Sequence, residues 1–172
     1  MTFNPDIHHR QSIRLQKYDY SQVGLYFITI CTDNRQSLFG KIINGEMVLN
    51  DAGIIARNEW QKTAEMRPNV VSDEFVIMPN HLHGIINMTG IQEPAQQEQQ
   101  GRVQCAPTVG DIVRGYKSSV TKQIRQLHEN FNLLVWQRNY HEHIIRNEES
   151  YLKIAEYIQT NPLRWQEDKY YD

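Results

Sequence analysis

The chain has 172 residues, of which 40% are hydrophobic and 22% are charged, and its formal net charge is −2. This length and composition are typical of one globular domain, and the apolar runs are too short to span a bilayer. We therefore predict one domain over residues 1–172, large enough for an enzyme and without a membrane role. The amino terminus lacks the apolar core of a secretory signal, which predicts a cytoplasmic protein.

The predicted elements follow from hydrophobic spacing and from turn and cap residues. In chain order they are a strand at 25–32, a hairpin within 37–49 that turns at Asn44-Gly45, a helix from Asn50 or Asp51 to Pro68, strands at 70–78 and 81–88 joined by Pro79-Asn80, a helix from the Thr108 and Asp111 capping box to Leu127, an extended stretch at 140–145, and a helix from Asn147 to Asn161-Pro162. Strands interrupted by helices in this way predict an α+β fold with one antiparallel sheet.

A glutamine-rich segment separates the strand at 81–88 from the next helix. Residues 89–107 lose the apolar periodicity that marks the neighbouring elements. Polar segments of this composition do not bury enough apolar surface to pack, so we predict a mobile loop within the domain.

Basic side chains are concentrated in the predicted helix at 108–127. Arg114, Lys117, Lys122 and Arg125 flank its apolar stripe, which includes Leu127. Such a patch is suited to following a phosphate backbone, although a net charge of −2 does not by itself indicate a nucleic-acid partner. A solvated helix face explains the same pattern. We name the four cations as candidate DNA-binding residues.

His81-Leu82-His83 is the sharpest motif in the sequence. Alternate residues of a strand point to the same face, so the two imidazoles would converge and Leu82 would point into the core. Imidazole binds several divalent metals, and a third ligand would complete a small site. Two exposed histidines beside a turn would show the same pattern.

The last predicted helix carries two tyrosines and ends at Asn161-Pro162. Tyr157 and Asn161 are four residues apart and therefore share a helix face, where one would supply a nucleophile and the other a ligand. Tyr157 could equally join an apolar stripe with Tyr151, and asparagine before proline is a common helix terminator.

Four blocks of the sequence, read together, resemble one protein family. They are Val76-Ile-Met-Pro-Asn-His-Leu-His-Gly-Ile-Ile86, Val113-Arg-Gly-Tyr-Lys-Ser-Ser-Val-Thr121, Trp136-Gln-Arg-Asn-Tyr-His-Glu-His-Ile-Ile-Arg-Asn147 and Glu156-Tyr-Ile-Gln-Thr-Asn-Pro162. In this order they resemble the REP-associated tyrosine transposases, which are relatives of the single-tyrosine HUH insertion-sequence transposases. The similarity extends from about Arg14 to the end of the chain.

The resemblance implies a role for each residue of the two motifs. His81 and His83 match the pair that binds Mg²⁺ or Mn²⁺, Asn161 matches the third metal ligand, and Tyr157 matches the catalytic tyrosine. The implied fold is a ferredoxin-like antiparallel sheet backed by helices, with the histidines on a central strand. No role is implied for Glu142 or His143, which lie in a matching block.

The implied activity is nicking and rejoining of single-stranded DNA through a 5′-phosphotyrosine, on repeats that fold into hairpins. The expected partner is single-stranded or hairpin DNA, and a homodimer is one of two assemblies that the resemblance allows. Two other functions fit the residues: a catalytically idle DNA-binding regulator, and a metal-dependent phosphodiesterase that uses water. A covalent protein–DNA adduct would distinguish the first function from the others.

Overall fold

The computed structural model describes residues 22–90 and 107–171. Its elements are the strands β1 (Gly24–Cys31), β2 (Gly40–Ile43), β3 (Glu46–Leu49), β4 (Val70–Met78), β5 (His81–Met88) and β6 (His141–Ile145), and the helices α1 (Asp51–Glu65), α2 (Val109–Leu127) and α3 (Glu148–Thr160). Most of the predicted glutamine-rich loop, from residue 91 to residue 106, lies outside the described residues.

Four strands form an antiparallel sheet in the order β4-β5-β1-β6. The connections through α1 and through α2 each pass over one intervening strand, which is the split βαβ arrangement of a ferredoxin-like fold. The α+β prediction with an antiparallel sheet is therefore confirmed. Strand β5 lies between β4 and β1, so its residues are placed at the centre of the sheet.

The β2–β3 hairpin forms a separate two-stranded sheet. Asn44 and Gly45 at its tip have φ angles of 52° and 80°. Two successive positive φ angles are required by the tight turn that matches strand twist, and asparagine followed by glycine adopts them at little cost. The predicted hairpin turn is confirmed.

The helices cover the sheet from both sides. Helices α1 and α2 pack over one face, where Trp60 and Tyr116 belong to the same buried core as the strand residues Leu82 and Ile28. Helix α3 covers the other face and packs Ile158 against Ile85 in a smaller cluster. The two faces of β5 therefore lie in different environments: one packs in the main core, and the other faces α3.

Three side chains begin the helices as the cap residues predicted. Asn50 accepts a hydrogen bond from the Gly53 amide at 2.9 Å, and Asn147 accepts one from the Ser150 amide at 2.8 Å. Thr108 begins α2 in a reciprocal capping box with Asp111, in which each side chain accepts a hydrogen bond from the other residue's backbone amide. Backbone amides at a helix start have no partner within the helix, so the box satisfies two of them.

Leu127 departs from the inward stripe predicted for α2, because its side chain is 43% exposed. It is the last residue of the helix, which is capped at His128, and no element among residues 22–90 and 107–171 buries its side chain. Across the described residues, no helix combines the length and apolarity needed to cross a membrane.

Candidate metal and tyrosine site

Strand β5 places His81 and His83 on the sheet face that is covered by α3. Both side chains are fully buried, whereas an exposed pair was the alternative interpretation of the motif, and that alternative is wrong. Leu82 points to the opposite face and is buried in the main core, as predicted. The two imidazole centroids lie 4.4 Å apart, so the rings converge as the strand alternation requires.

The His81 ring is held in one tautomer by its neighbour. Its Nδ1 lies 2.8 Å from the Asn80 side-chain oxygen, while the Asn80 amide nitrogen donates to the Tyr170 carbonyl at 2.7 Å. The Asn80 oxygen therefore accepts from Nδ1–H, which leaves a lone pair on Nε2. Burial, partly opposed by the Asp168 charge, lowers the pKa of His81 to about 4, so the ring is neutral at pH 7.

His83 contacts both the sheet and the tyrosine helix. Its Nδ1 lies 2.8 Å from the Thr29 hydroxyl oxygen on β1, and its Nε2 lies 3.1 Å from the Tyr157 hydroxyl oxygen on α3. Burial, followed by the nearby charge of His81, holds the pKa of His83 well below its usual range. Residues that are 74 positions apart in the chain are thus brought into direct contact.

Asp168 connects the tyrosine to the end of α3. Its Oδ2 accepts hydrogen bonds from the Tyr157 hydroxyl at 2.8 Å and from the Asn161 amide at 2.6 Å, and its Oδ1 accepts one from the Tyr170 backbone amide at 2.7 Å. Tyr157 and Asn161 meet the same carboxylate because they are one helical turn apart. The structure therefore brings together all four residues of the two motifs and adds a fifth, Asp168.

These contacts set the charge states of Asp168 and Tyr157. Partial burial pushes the pKa of Asp168 upward, but hydrogen bonds from Asn161, the Tyr170 amide and Tyr157 together bring that pKa below its ordinary value. Burial and then the Asp168 hydrogen bond raise the pKa of Tyr157 above its ordinary value. The carboxylate is therefore ionised and the tyrosine hydroxyl protonated at neutral pH.

The donor set fits a divalent metal. One ligand atom from each of His81, His83 and Asp168 lies within 4.8 Å of the others. The buried atoms His81 Nε2 and Asn161 Oδ1 have no hydrogen-bond partner within the described residues. Buried polar atoms are normally satisfied, and two imidazoles with a carboxylate and an amide oxygen are donors that a divalent metal ion accepts.

Sequence reasoning did not identify Asp168. The residue follows the helix-ending Pro162 in a segment without apolar periodicity and without a ligand-spacing motif, so no local signal distinguishes it from other surface acids. Tyr151, the other tyrosine considered on α3, packs against the small core that contains Ile85 and Ile158.

The predicted basic patch lies on α2, on the side of the sheet opposite to the histidines. Lys117 donates to the Gln137 and Asn139 carbonyls at 2.8 Å and 3.0 Å, and burial lowers its pKa to about 8. Arg125 donates to the Leu133 carbonyl at 3.0 Å. These two cations therefore have a structural role, whether or not they also bind a ligand.

The remaining predicted cations of this patch reach solvent. Arg114 forms an exposed ion pair with Asp111 at 3.2 Å, and Lys122 is exposed. Lys122 lines a groove of about 550 Å³ together with Phe131, which is 71% exposed. Binding of DNA along α2 stays a prediction.

Two further residues from the matching blocks lie on the edge strand β6. Glu142 accepts a hydrogen bond from the Tyr140 hydroxyl at 3.0 Å, and His143 is exposed opposite Phe27 of β1. The structure thus gives Glu142 a local partner and places His143 at the sheet edge.

Comparisons with known proteins agree with this architecture. No protein-family model matches the sequence. The chain is 49% identical to an "Uncharacterized protein" of Haemophilus influenzae, with 98% of this chain and 97% of the relative aligned. It is 23% identical to a "Putative REP-associated tyrosine transposase" of the same organism, over 85% of this chain and 74% of the relative.

A solved structure shares the fold. It is described as a REP-associated tyrosine transposase bound to a REP hairpin, and it aligns with a TM-score of 0.56 at 20% identity, over 91% of this chain and 77% of that chain. The chain therefore belongs to the same family as the Haemophilus influenzae protein that it matches at 49% identity, and its predicted resemblance to the REP-associated tyrosine transposases is confirmed.

Proposed function

We propose that this chain is a transposase-like, metal-dependent enzyme that nicks and rejoins single-stranded DNA through a covalent bond to Tyr157. The observation that carries the proposal is the position of the Tyr157 hydroxyl, which lies 3.1 Å from His83 and 2.8 Å from Asp168. A nucleophile beside two neutral imidazoles and a carboxylate is an arrangement suited to metal-assisted phosphoryl transfer.

The metal would be held by His81, His83 and Asn161, with Asp168 as the carboxylate that the structure adds. A divalent cation bound there supplies positive charge that offsets the Asp168 carboxylate and the charge developing on the scissile phosphate. His81 is already the correct tautomer for this role, because Asn80 occupies its Nδ1. Mg²⁺ and Mn²⁺ both suit the oxygen-containing donor set.

In the proposed reaction Tyr157 attacks phosphorus. The Tyr157 oxygen forms a bond to phosphorus while the bond from phosphorus to the 3′ oxygen breaks, which leaves a 5′-phosphotyrosine and a free 3′ hydroxyl. The tyrosine proton lies on the hydrogen bond to Asp168, and one proton ends on the 3′ oxygen, so the step is balanced. The reverse reaction rejoins the strand without ATP, because the phosphotyrosine keeps the energy of the original ester.

The proposed substrate is single-stranded DNA next to a hairpin. A relative of the same fold is described as bound to a REP hairpin, and this description supports the choice of ligand. The two alternatives, an idle DNA-binding regulator and a phosphodiesterase that uses water, predict no covalent adduct.

A trapping experiment tests the proposal. The protein is incubated with a library of labelled hairpin oligonucleotides and Mn²⁺, denatured, and examined for DNA that stays attached. We expect wild type to form an adduct through the DNA 5′ phosphate and Tyr157→Phe to form none, because that change deletes the attacking oxygen and keeps the ring.

Tyr151→Phe is the matched control, since Tyr151 lies on the same helix but packs in the small core. It should form the adduct as wild type does. Loss of the adduct in Tyr151→Phe with retention in Tyr157→Phe would overturn the assignment of the nucleophile. DNA cleavage without any adduct would favour the enzyme that uses water.

A further inference from the structure

Tyr170 is a buried tyrosine beside the histidines that the proposed reaction does not use. Its ring centroid lies 4.7 Å from that of His81 and 5.7 Å from that of His83, and the residue is only 4% exposed. Its hydroxyl is buried and has no hydrogen-bond partner among residues 22–90 and 107–171. A buried hydroxyl is normally hydrogen-bonded, so the Tyr170 hydroxyl keeps the capacity to donate to a bound group.

Two hydrogen bonds hold the backbone of Tyr170 beside the histidines. The Tyr170 amide donates to Asp168 Oδ1 at 2.7 Å, and the Tyr170 carbonyl accepts from the Asn80 side chain at 2.7 Å. Both partners also contact the proposed metal site, Asp168 as a candidate ligand and Asn80 through His81. The backbone of Tyr170 is therefore tied to two residues of this site, and its ring lies against both histidines.

Two cations flank the Tyr170 ring. The Arg35 guanidinium carbon lies 5.7 Å from the ring centroid, and the Lys169 ammonium nitrogen lies 4.8 Å from it. Both side chains are exposed, and neither forms a salt bridge in the described part of the chain. Other lysines do find acids: Lys62 pairs with Glu59, and Lys153 pairs with Glu149.

The backbone at Arg35 adopts an uncommon conformation. Asn34 and Arg35 have φ angles of 48° and 54°, and a positive φ is rare for a long side chain such as arginine. Non-glycine residues persist in this region only when the surrounding structure imposes it, and such residues are concentrated at functional sites. The Arg35 Nη1 donates a hydrogen bond to the Lys169 carbonyl at 3.5 Å.

We propose that Tyr170, Arg35 and Lys169 form a phosphodiester-binding site next to the metal ligands. The Tyr170 hydroxyl donates a hydrogen bond to a non-bridging oxygen of the phosphate, and the two cations offset its negative charge. This inference rests on the proposed function, since it identifies the phosphate as part of a DNA strand. It assigns to these residues the binding of the phosphate before attack by Tyr157.

Binding of a single phosphodiester to metal-free protein tests the inference. A thymidine dinucleotide and its neutral methylphosphonate analogue are titrated in EDTA and followed by the chemical shifts of backbone amides. We expect Arg35→Gln, Lys169→Gln and Tyr170→Phe each to weaken dinucleotide binding roughly tenfold, as is usual for a hydrogen bond or close contact to a charged group. The neutral analogue should bind weakly and equally to all variants.

Arg57→Gln is the matched control. Arg57 is exposed on α1, on the other side of the sheet, and its replacement removes the same charge. Equal weakening in Arg57→Gln and Arg35→Gln would show nonspecific attraction and overturn the inference. Unchanged binding in folded Tyr170→Phe, with Arg35→Gln and Lys169→Gln also unchanged, would overturn it as well.

The dinucleotide experiment and the trapping experiment test different claims, so either claim can be contradicted while the other stands. Specific dinucleotide binding without any adduct would leave the phosphate site in place and remove the covalent mechanism. An adduct at Tyr157 combined with unaltered dinucleotide binding in the three variants would keep the enzyme and remove this phosphate site.

Discussion

At the scale of single residues, the site depends on two imidazoles that are kept neutral by burial. Neither His81 nor His83 has a carboxylate on its Nδ1; the partners there are the Asn80 amide oxygen and the Thr29 hydroxyl. A neutral partner stabilises an imidazolium less than a carboxylate does, and burial lowers the pKa of both rings, so both favour the uncharged form that binds metals.

Burial of His81 predicts a loss of stability in acid. Its pKa is about 4 in the folded state and about 6.5 when exposed, so the unfolded chain binds more protons between these values. The free energy of unfolding is therefore highest above pH 6.5 and falls as the pH drops toward 4, by up to about 3 kcal/mol from this group. Urea denaturation at pH 7.5 and pH 4.5 measures the loss.

His81→Gln provides the comparison for this acid effect. The variant lacks the titrating ring, so its stability should fall less over the same pH range. An identical pH dependence in wild type and His81→Gln would show that other groups cause the loss.

The ligand set predicts an order of metal affinities. His81→Ala and His83→Ala should each weaken Mn²⁺ binding by about tenfold to a hundredfold, and Asp168→Asn should weaken it more than Asn161→Ala does, because only the former removes a charge. Calorimetric titration with Mn²⁺ gives these affinities. Asp51→Asn, which changes an exposed acid at the start of α1, should bind as wild type does.

The reverse order at the two oxygen ligands would be informative. If Asn161→Ala loses more affinity than Asp168→Asn, the amide is the main oxygen ligand and the carboxylate serves the tyrosine alone. Unchanged affinity in a double substitution of His81 and His83 would remove the metal site altogether.

At the scale of elements, β5 depends on a glycine at its centre. A Cβ atom added to Gly84 would lie 2.5 Å from the Trp60 ring of α1, which is closer than atoms pack. Gly84→Ala should therefore push α1 away and destabilise the protein by about 1–3 kcal/mol. Gly90→Ala is the control, since its Cβ would meet Val23 at an ordinary 3.7 Å, and thermal unfolding of both variants decides whether the contact matters.

Helix α2 carries two kinds of basic side chain: some bond to backbone carbonyls of the fold, and others reach solvent, where a ligand could bind them. Lys122→Ala should reduce the salt dependence of DNA binding by about one unit of slope if that side chain contacts a phosphate, without changing stability. Lys117→Ala should reduce the slope only if Lys117 also contacts a phosphate, and it should in any case destabilise the fold, because three backbone carbonyls near Lys117 lose their donor.

Binding curves at several salt concentrations, combined with urea denaturation of each variant, separate the two effects. An unaltered slope in both variants would show that neither lysine contacts a DNA phosphate. A loss of stability in Lys122→Ala equal to that in Lys117→Ala would contradict the distinction between them.

At the scale of the whole molecule, the site is assembled from segments far apart in the chain. Thr29 comes from β1, His81 and His83 come from β5, Tyr157 comes from α3, and Asp168 comes from the segment after it. The strand order β4-β5-β1-β6 makes this assembly possible, because it places β5 inside the sheet, where α3 packs against β4 and β5.

The sequence by itself determined the elements and the position of each motif on them. Cap residues, the Asn44-Gly45 turn and apolar spacing act over a few neighbours, so the hairpin, the helix starts and the orientation of Leu82 were all predictable. The exposure of Leu127 was not, because spacing places a residue on a helix face but does not say where the neighbouring element ends.

Only the tertiary structure decided which distant side chains meet. Asp168 and Tyr170 follow Pro162 in a segment without periodicity, and the folded chain returns that segment to the histidines. Lys117, predicted for DNA, was found to hold backbone carbonyls of the loop after Trp136. Contacts of this kind depend on packing across the whole sheet, and no pattern of neighbouring residues encodes them.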